Sequence, residues 1–294
     1  VTEDDLHELG RWLHAQKTRR LDAWAFLVAT LLTEDDTCLT YAISDGDRAV
    51  LVRRSAGDAA ATADDLAHEQ KVTAALAGAG APVPACYGLC ADASVLGGPF
   101  SVFERPAGAS YPAQAAALGP DGARAIAERA VDALASLHAV DPRVLGDDGE
   151  SRSGDSVERR LHAVKQSLDS RRDGRIDGAD ELHARLERSL PAPVRTTIAH
   201  GAYRAENLLV DDDGRLTAVL GWQRTALGDP LTDVAELAVS VGDETIERYA
   251  ARTGRDLKDL GFHLGLAYLA QSARSDDRDV AESLIERGLA AAAG

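Results

Sequence analysis

The sequence predicts an α+β protein in which a small antiparallel sheet comes first and a mostly helical region follows. Three observations carry this. The β-type runs Cys38 to Ile43 and Arg48 to Arg53 flank a Ser44-Asp45-Gly46-Asp47 turn. A second hairpin, Leu208 to Val210 and Leu216 to Leu220, surrounds Asp211-Asp212-Asp213-Gly214. Most of the remaining chain after residue 105 places apolar residues at helical spacing.

In chain order, Leu6, Leu9, Trp12 and Leu13 define a first helical face, and Trp24 to Leu32 reads equally as helix or buried strand. After the first hairpin, a helix from Asp64 to Leu76 ends at the Gly/Pro loop Gly78 to Pro84. Strands Cys86 to Leu89 and Phe100 to Glu104 follow. The Ala-rich helix Asp121 to Val140 puts Ile126, Ala130, Leu134 and Leu137 on one face. Gly146 to Asp155 reads as a mobile loop bordering a substrate site. Helices are expected over Ser156 to Ser170 and Ala179 to Leu190, separated by the charged linker Arg171 to Gly178. Four more follow the second hairpin, at Leu231 to Val241, Glu244 to Thr253, Leu257 to Ala273 and Asp277 to Ala292. No internal repeat or heptad run is present.

The 294 residues, 45% apolar, suffice for a sizeable core. Four Lys against 28 Arg and no Met indicate GC-rich coding, and Val1 reads as a non-ATG start. A net charge of −16 argues against nucleic-acid binding, because a phosphate backbone selects basic surfaces. The acidic stretch Val1 to His7 is unlike a signal peptide, and the longest apolar run, Ala23 to Leu32, is about half a bilayer span. The expectation is a cytoplasmic protein with no membrane partner. Cys38, Cys86 and Cys90 form no disulfide framework. The C-x3-C pair lacks further zinc ligands nearby and reads as structural thiols.

The stretch from Ile198 to Asp233 organises the rest. A strand end leads into His200-Gly201, a polar loop reaches Asn207, and the hairpin closes on Gly221-Trp222-Gln223. Kinase catalytic loops share this spacing, H-R-D-x-x-x-x-N followed by a metal-binding Asp after the hairpin. The segment resembles the core of the aminoglycoside phosphotransferase-like kinases, and most closely the subgroup of kinase-like domains fused to some acyl-CoA dehydrogenases. That family carries His-Gly-Asp-x-x-x-x-Asn, then Asp-Trp-Glu, then Gly-Asp-Pro with an Asp three residues on. Here His200, Gly201, Asn207, Trp222, Gly228, Asp229, Pro230 and Asp233 match, but Ala202 replaces the catalytic Asp, Gly221 the metal-binding Asp and Gln223 the Glu.

The resemblance implies a two-lobed protein-kinase-like fold, with an N-lobe over 1–104 and a helical C-lobe over 105–294. It covers nearly the whole chain, from Leu39-Thr40-Tyr41 to the segment Tyr249 to Arg255. It places Arg53 where kinases keep their phosphate-pairing Lys, with Glu69 as its ion-pair partner, and makes the segment Phe103 to Gly108, including Glu104, the adenine-holding hinge. Asn207 is the remaining metal-side candidate, so ATP and Mg are implied by resemblance alone. Glu34, Asp35 and Asp36 stand where the family has a glycine-rich phosphate loop. If they face a polyphosphate, each pair of charges costs on the order of 2–3 kcal/mol; a solvated turn pointing away is the other reading. Asp229 and Asp233 read as structural acids and His200 as a loop brace. No Ser-His-Asp set, H-E-x-x-H or Walker loop is present.

Three functions remain open on these residues. The leading one is a pseudokinase acting by binding a small molecule or a protein. The second is an active phosphotransferase or nucleotidyltransferase on a small molecule, with a displaced mechanism. The third is a partner-binding module that uses the acidic surface and has no nucleotide affinity.

Overall fold

The computed structural model describes residues 2–15, 27–34, 38–46, 48–55, 59–146, 157–172, 174–194 and 196–293. Its contacts divide the chain into two compact units. The first is Val1–Gly108 with Thr217–Gln223, and the second is Ala109–Leu216 with Arg224–Gly294. The acidic segment 35–36 and residues 147–155 of the predicted loop lie outside the described residues.

The first unit begins with α1 (Glu3–Ala15), β1 (Val28–Glu34), β2 (Cys38–Ser44), β3 (Ala49–Ser55) and α2 (Ala59–Gly78). It continues through β4 (Cys86–Cys90), the single turn α3 (Ala93–Leu96) and β5 (Phe100–Glu104). The strands form one antiparallel sheet in the order β1-β2-β3-β5-β4. Its first tight turn follows from Asp45, whose Oδ1 accepts the Arg48 amide at 2.8 Å, and from Gly46 at φ 100°. Alternation in β2 and β3 sends Tyr41, Ile43, Val50 and Val52 into a core with Leu9 and Leu13 of α1. Trp12 meets Phe100 edge to face at 5.0 Å.

The run Trp24 to Leu32 departs from both sequence readings where it is described. Val28–Glu34 is an edge strand, with Val28 63%, Leu31 49% and Leu32 45% exposed. Among the described residues it pairs only with β2, and its register shifts between Leu31 and Thr33. An apolar run of this length carries no mark that separates a central strand from an edge one.

The second unit contains β6 (Ala109–Ser110), α4 (Tyr111–His138), α5 (Val157–Asp169), α6 (Ala179–Arg188), β7 (Thr197–Ala199) and β8 (Leu208–Val210). After β9 (Leu216–Val219) come β10 (Ala226–Gly228), α7 (Leu231–Val241), α8 (Glu244–Thr253), α9 (Leu260–Arg274) and α10 (Arg278–Ala291). α4 starts earlier than expected because its first part is joined to the Ala-rich helix through a kink at Gly119, φ 72°, ahead of Pro120. Leu161, Leu182, Leu186, Phe262, Leu266 and Ile285 bring α5, α6, α9 and α10 around one core. The absence of a side chain at Gly288 permits this, since a Cβ there would lie 2.6 Å from Leu182 Cδ2. Among the described residues no helix is long and apolar enough to cross a membrane.

Candidate functional site

In the first unit the buried sheet delivers one cation to two partners. Arg53 of β3 turns its Nη1 to Glu69 of α2, at 2.7 Å from Oε1 and 2.8 Å from Oε2. The same Nη1 donates to Gln223 Oε1 at 2.9 Å, and the Trp222 amide donates to Glu69 Oε1 at 3.2 Å. Both charged side chains are nearly sealed, Arg53 10% and Glu69 3% exposed, so each depends on the other for its solvation. Trp222, 1% exposed, donates its indole N–H to Val219 O at 2.7 Å and thereby holds the segment in place.

Gly221 precedes this group at φ 84°. A non-glycine residue in the left-handed region costs roughly 1–2 kcal/mol, with Asp at the tolerant end. Glu104 closes β5 opposite Val50, and its amide donates to Ala85 O at 2.8 Å. In the adjoining hinge-like segment Pro106 has no N–H to offer a ligand.

In the second unit a buried carboxylate organises the loop after β7. Asp233, fully buried at the start of α7, accepts the His200 amide at 2.7 Å on Oδ2 and the Gly201 amide at 2.8 Å on Oδ1. His138 of α4 adds its Nε2 at 3.1 Å, while its Nδ1 lies 2.7 Å from the Tyr249 hydroxyl. Burial pushes the Asp233 carboxyl up. The His138 hydrogen bond, the charges of His138 and His200 and the His200 amide outweigh it, leaving the group below its ordinary value. His200 is wholly buried, and its Nδ1 accepts the Ala202 amide at 3.1 Å. Asn207 Nδ2 donates to Ala202 O at 2.9 Å. So the loop keeps its frame around position 202 while that position carries only a methyl, 5% exposed.

Gly201 shows how tightly this frame is drawn. Its φ is +79°, and a Cβ there would sit 2.8 Å from Arg224 O. Gly201→Ala is therefore expected to lose about 2 kcal/mol or more, from left-handed strain plus displaced backbone, measured by urea denaturation. A loss below about 0.5 kcal/mol would show that the loop relaxes freely.

Asp229 accepts the Leu231 amide at 2.9 Å and thus ties the start of α7. A divalent hard cation needs several oxygen ligands, normally with carboxylates among them. Gly221 supplies none, Asn207 is drawn to Ala202 O, and no set of three His, Cys, Asp or Glu among the described residues is arranged for a metal. The donor set does not fit Mg. Burial pushes the half-buried Cys86 up to about 11 and raises Cys90 above its ordinary value, so neither is poised as a thiolate ligand.

The structure thus brings Arg53 and Glu69 together in the first unit and His200, Ala202 and Asn207 together in the second, while Glu104 ends β5 opposite Val50. Sequence reasoning missed three participants. Gln223 was visible as a replaced Glu, but not as the partner of Arg53. His138 and Tyr249 meet Asp233 from helices far away in sequence, and nothing local marks them.

An antiparallel sheet bearing a buried Arg–Glu pair, together with a helical unit whose His-Gly loop is pinned by an Asp, defines the kinase-like fold. Residues 28–266 match the model of the phosphotransferase enzyme family, APH, and the chain belongs to that family. It is 32% identical over 199 residues to acyl-CoA dehydrogenase family member 10 of Mus musculus, covering 67% of this chain and 19% of that protein. With acyl-CoA dehydrogenase family member 11 of Gallus gallus it shares 30% over 200 residues, covering 67% and 26%. The chain therefore spans about a fifth to a quarter of these relatives. Among solved structures, the GDP complex of aminoglycoside 2'-phosphotransferase-IIIa superposes with a TM-score of 0.67 at 16% identity over 99% of both chains. An aminoglycoside-3'-phosphotransferase of type VIII gives 0.64 at 20% identity, over 90% of this chain and 98% of that one.

Proposed function

We propose that this chain is a pseudokinase of the phosphotransferase family, acting by binding a small molecule and not by transferring phosphate. The observation that carries the reading is Ala202, a methyl in a fully braced loop where a kinase holds its proton acceptor. Loss of a general base alone costs roughly 10²–10⁴ in rate. Gly221 removes the metal's carboxylate as well, and Pro106 takes a donor from the hinge-like segment. The acyl-CoA dehydrogenases among the relatives place such a unit beside small-molecule chemistry, which is the setting this reading supposes.

One observation favours a second reading. The Arg53–Glu69 pair is intact, as a nucleotide-handling kinase requires. Under it the chain is an active phosphotransferase or nucleotidyltransferase with a displaced mechanism, and Arg53, Glu69, Glu104 and Asn207 contact ATP. Thermal shift with ATP, ADP and AMP, each with and without Mg²⁺ or Mn²⁺, separates the two. A ligand at 100 times its dissociation constant adds about 2.7 kcal/mol. The pseudokinase reading expects no metal-dependent gain from ATP and no phosphate or pyrophosphate release. Turnover at roughly 1–100 per second, the usual kinase range, would overturn it.

A further inference from the structure

A cavity of about 320 Å³ opens in the second unit between the loop after β7 and the helices α7, α9 and α10. Arg204, Glu206, Glu236 and Arg274 bring charge to its lining, and Val239, Val280 and Leu284 supply carbon. At ~30 Å³ per water it has room for roughly ten waters, or a molecule of about as many non-hydrogen atoms. Arg204 follows Ala202 by two residues, so the cavity adjoins the braced loop.

Arginines gather here in a chain whose net charge is −16. Glu236 is the buried acid of the group, and Arg160 of α5 already holds it at 2.8 Å, the two side chains 5% and 10% exposed. Arg274 is left with Glu236 Oε2 at 4.0 Å, and Arg204 Nε with Glu206 Oε2 at 3.6 Å, both beyond hydrogen-bond length. Glu206 is 59% exposed, so water screens most of its charge. Desolvation pushes the Arg274 guanidinium below its ordinary value; Glu236 opposes the shift, and Arg204 and Arg224 add to it. Four guanidiniums thus stand against two carboxylates, an excess of two positive charges. Arg274 and Arg204 are 40% and 25% exposed, so both side chains stay open to a ligand.

Crowded guanidiniums without a hydrogen-bonded carboxylate call for an anion, and the planar forks of Arg204 and Arg274 suit the oxygens of a phosphoryl group. We propose that this cavity binds small phosphomonoesters, with the phosphoryl dianion between Arg274 and Arg204 and a compact apolar body against Val239, Val280 and Leu284. A dianion balances the local excess, whereas a carboxylate meets half of it and an ammonium adds to it. The proposal rests on the reading of the chain as a small-molecule binder and names the ligand class for it.

The test titrates phenyl phosphate, inorganic phosphate, benzoate and benzylamine into the full chain, without nucleotide and at one ionic strength, by isothermal calorimetry and thermal shift. Phenyl phosphate is expected to bind saturably, at least tenfold tighter than benzoate and tighter than inorganic phosphate, with benzylamine silent. A phosphomonoester takes up its second proton near pH 6, so the affinity is expected to fall about fourfold from pH 8 to pH 5.5. Arg274→Gln is expected to weaken phenyl phosphate at least tenfold without lowering the unliganded Tm. Val280→Glu, at a position 49% exposed on the same wall, keeps every arginine and is expected to weaken it as much by repulsion. Absence of saturable phenyl phosphate binding, equal or tighter binding of any other probe, a flat pH profile, or full affinity in either variant overturns the proposal. Phosphate release from ATP is followed in separate samples free of the probes. Phenyl phosphate binding with ATP turnover sinks the pseudokinase reading and leaves the phosphoryl site standing; neither binding nor turnover does the reverse.

Discussion

Arg53→Met is expected to destabilise the protein by about 3–5 kcal/mol, because it leaves the Glu69 carboxylate buried with the Trp222 amide as its remaining donor in that group. This is a large share of the 5–15 kcal/mol typical of a folded domain. Glu69→Gln, placed on top of it, is expected to return most of the loss. A neutral amide oxygen still accepts the Trp222 N–H, and no unpaired charge stays inside. Urea denaturation of both single variants and the double variant forms the cycle, with a coupling of about 2 kcal/mol or more expected. Additive losses would show that the two side chains are solvated independently, and the buried pair would lose its structural role.

Asp233→Ala is expected to cost about as much, roughly 3–5 kcal/mol, because it strips the acceptor from two backbone amides and from His138 at once. Acid titration gives a more selective view. The folded carboxyl lies below its ordinary value of 3.8, so its stabilisation is fully present above that value. It is lost as pH falls from there through the folded value. The Tm of the native chain should therefore drop more steeply than that of Asp233→Asn over this acid range. Parallel curves would mean that the carboxylate is not the group holding the loop.

Much of the fold could be read from local chemistry. Ser-Asp-Gly-Asp writes a hairpin whatever surrounds it, and the helical faces of α5 to α10 are set by spacing alone. The Arg53–Glu69 pair was legible only through family resemblance, since two oppositely charged residues 16 apart occur in any soluble chain. What failed was whatever depends on the partner surface. The exposed β1 is as apolar as a core strand, and the His138–Asp233 contact joins residues 95 apart. Arg160, Arg204, Arg224 and Arg274 come together from four separate segments, so no local run marks the cluster.

The first unit is not continuous in sequence. Residues 217–223 complete it, with Val219 N donating to Pro82 O at 2.7 Å, Thr217 Oγ1 to Ala107 O at 2.7 Å, and Gln223 meeting Arg53 across 170 residues. During translation the ribosome must therefore add more than a hundred further residues after Gly108 before the sheet can acquire its last buried contacts. At 5–20 residues per second that interval is on the order of 5–20 s. Throughout it the Arg53 and Glu69 side chains lack the Trp222 and Gln223 groups that finish their burial. The sheet, whose five strands are complete by Glu104, thus waits through that interval for the groups that finish burying its Arg–Glu pair.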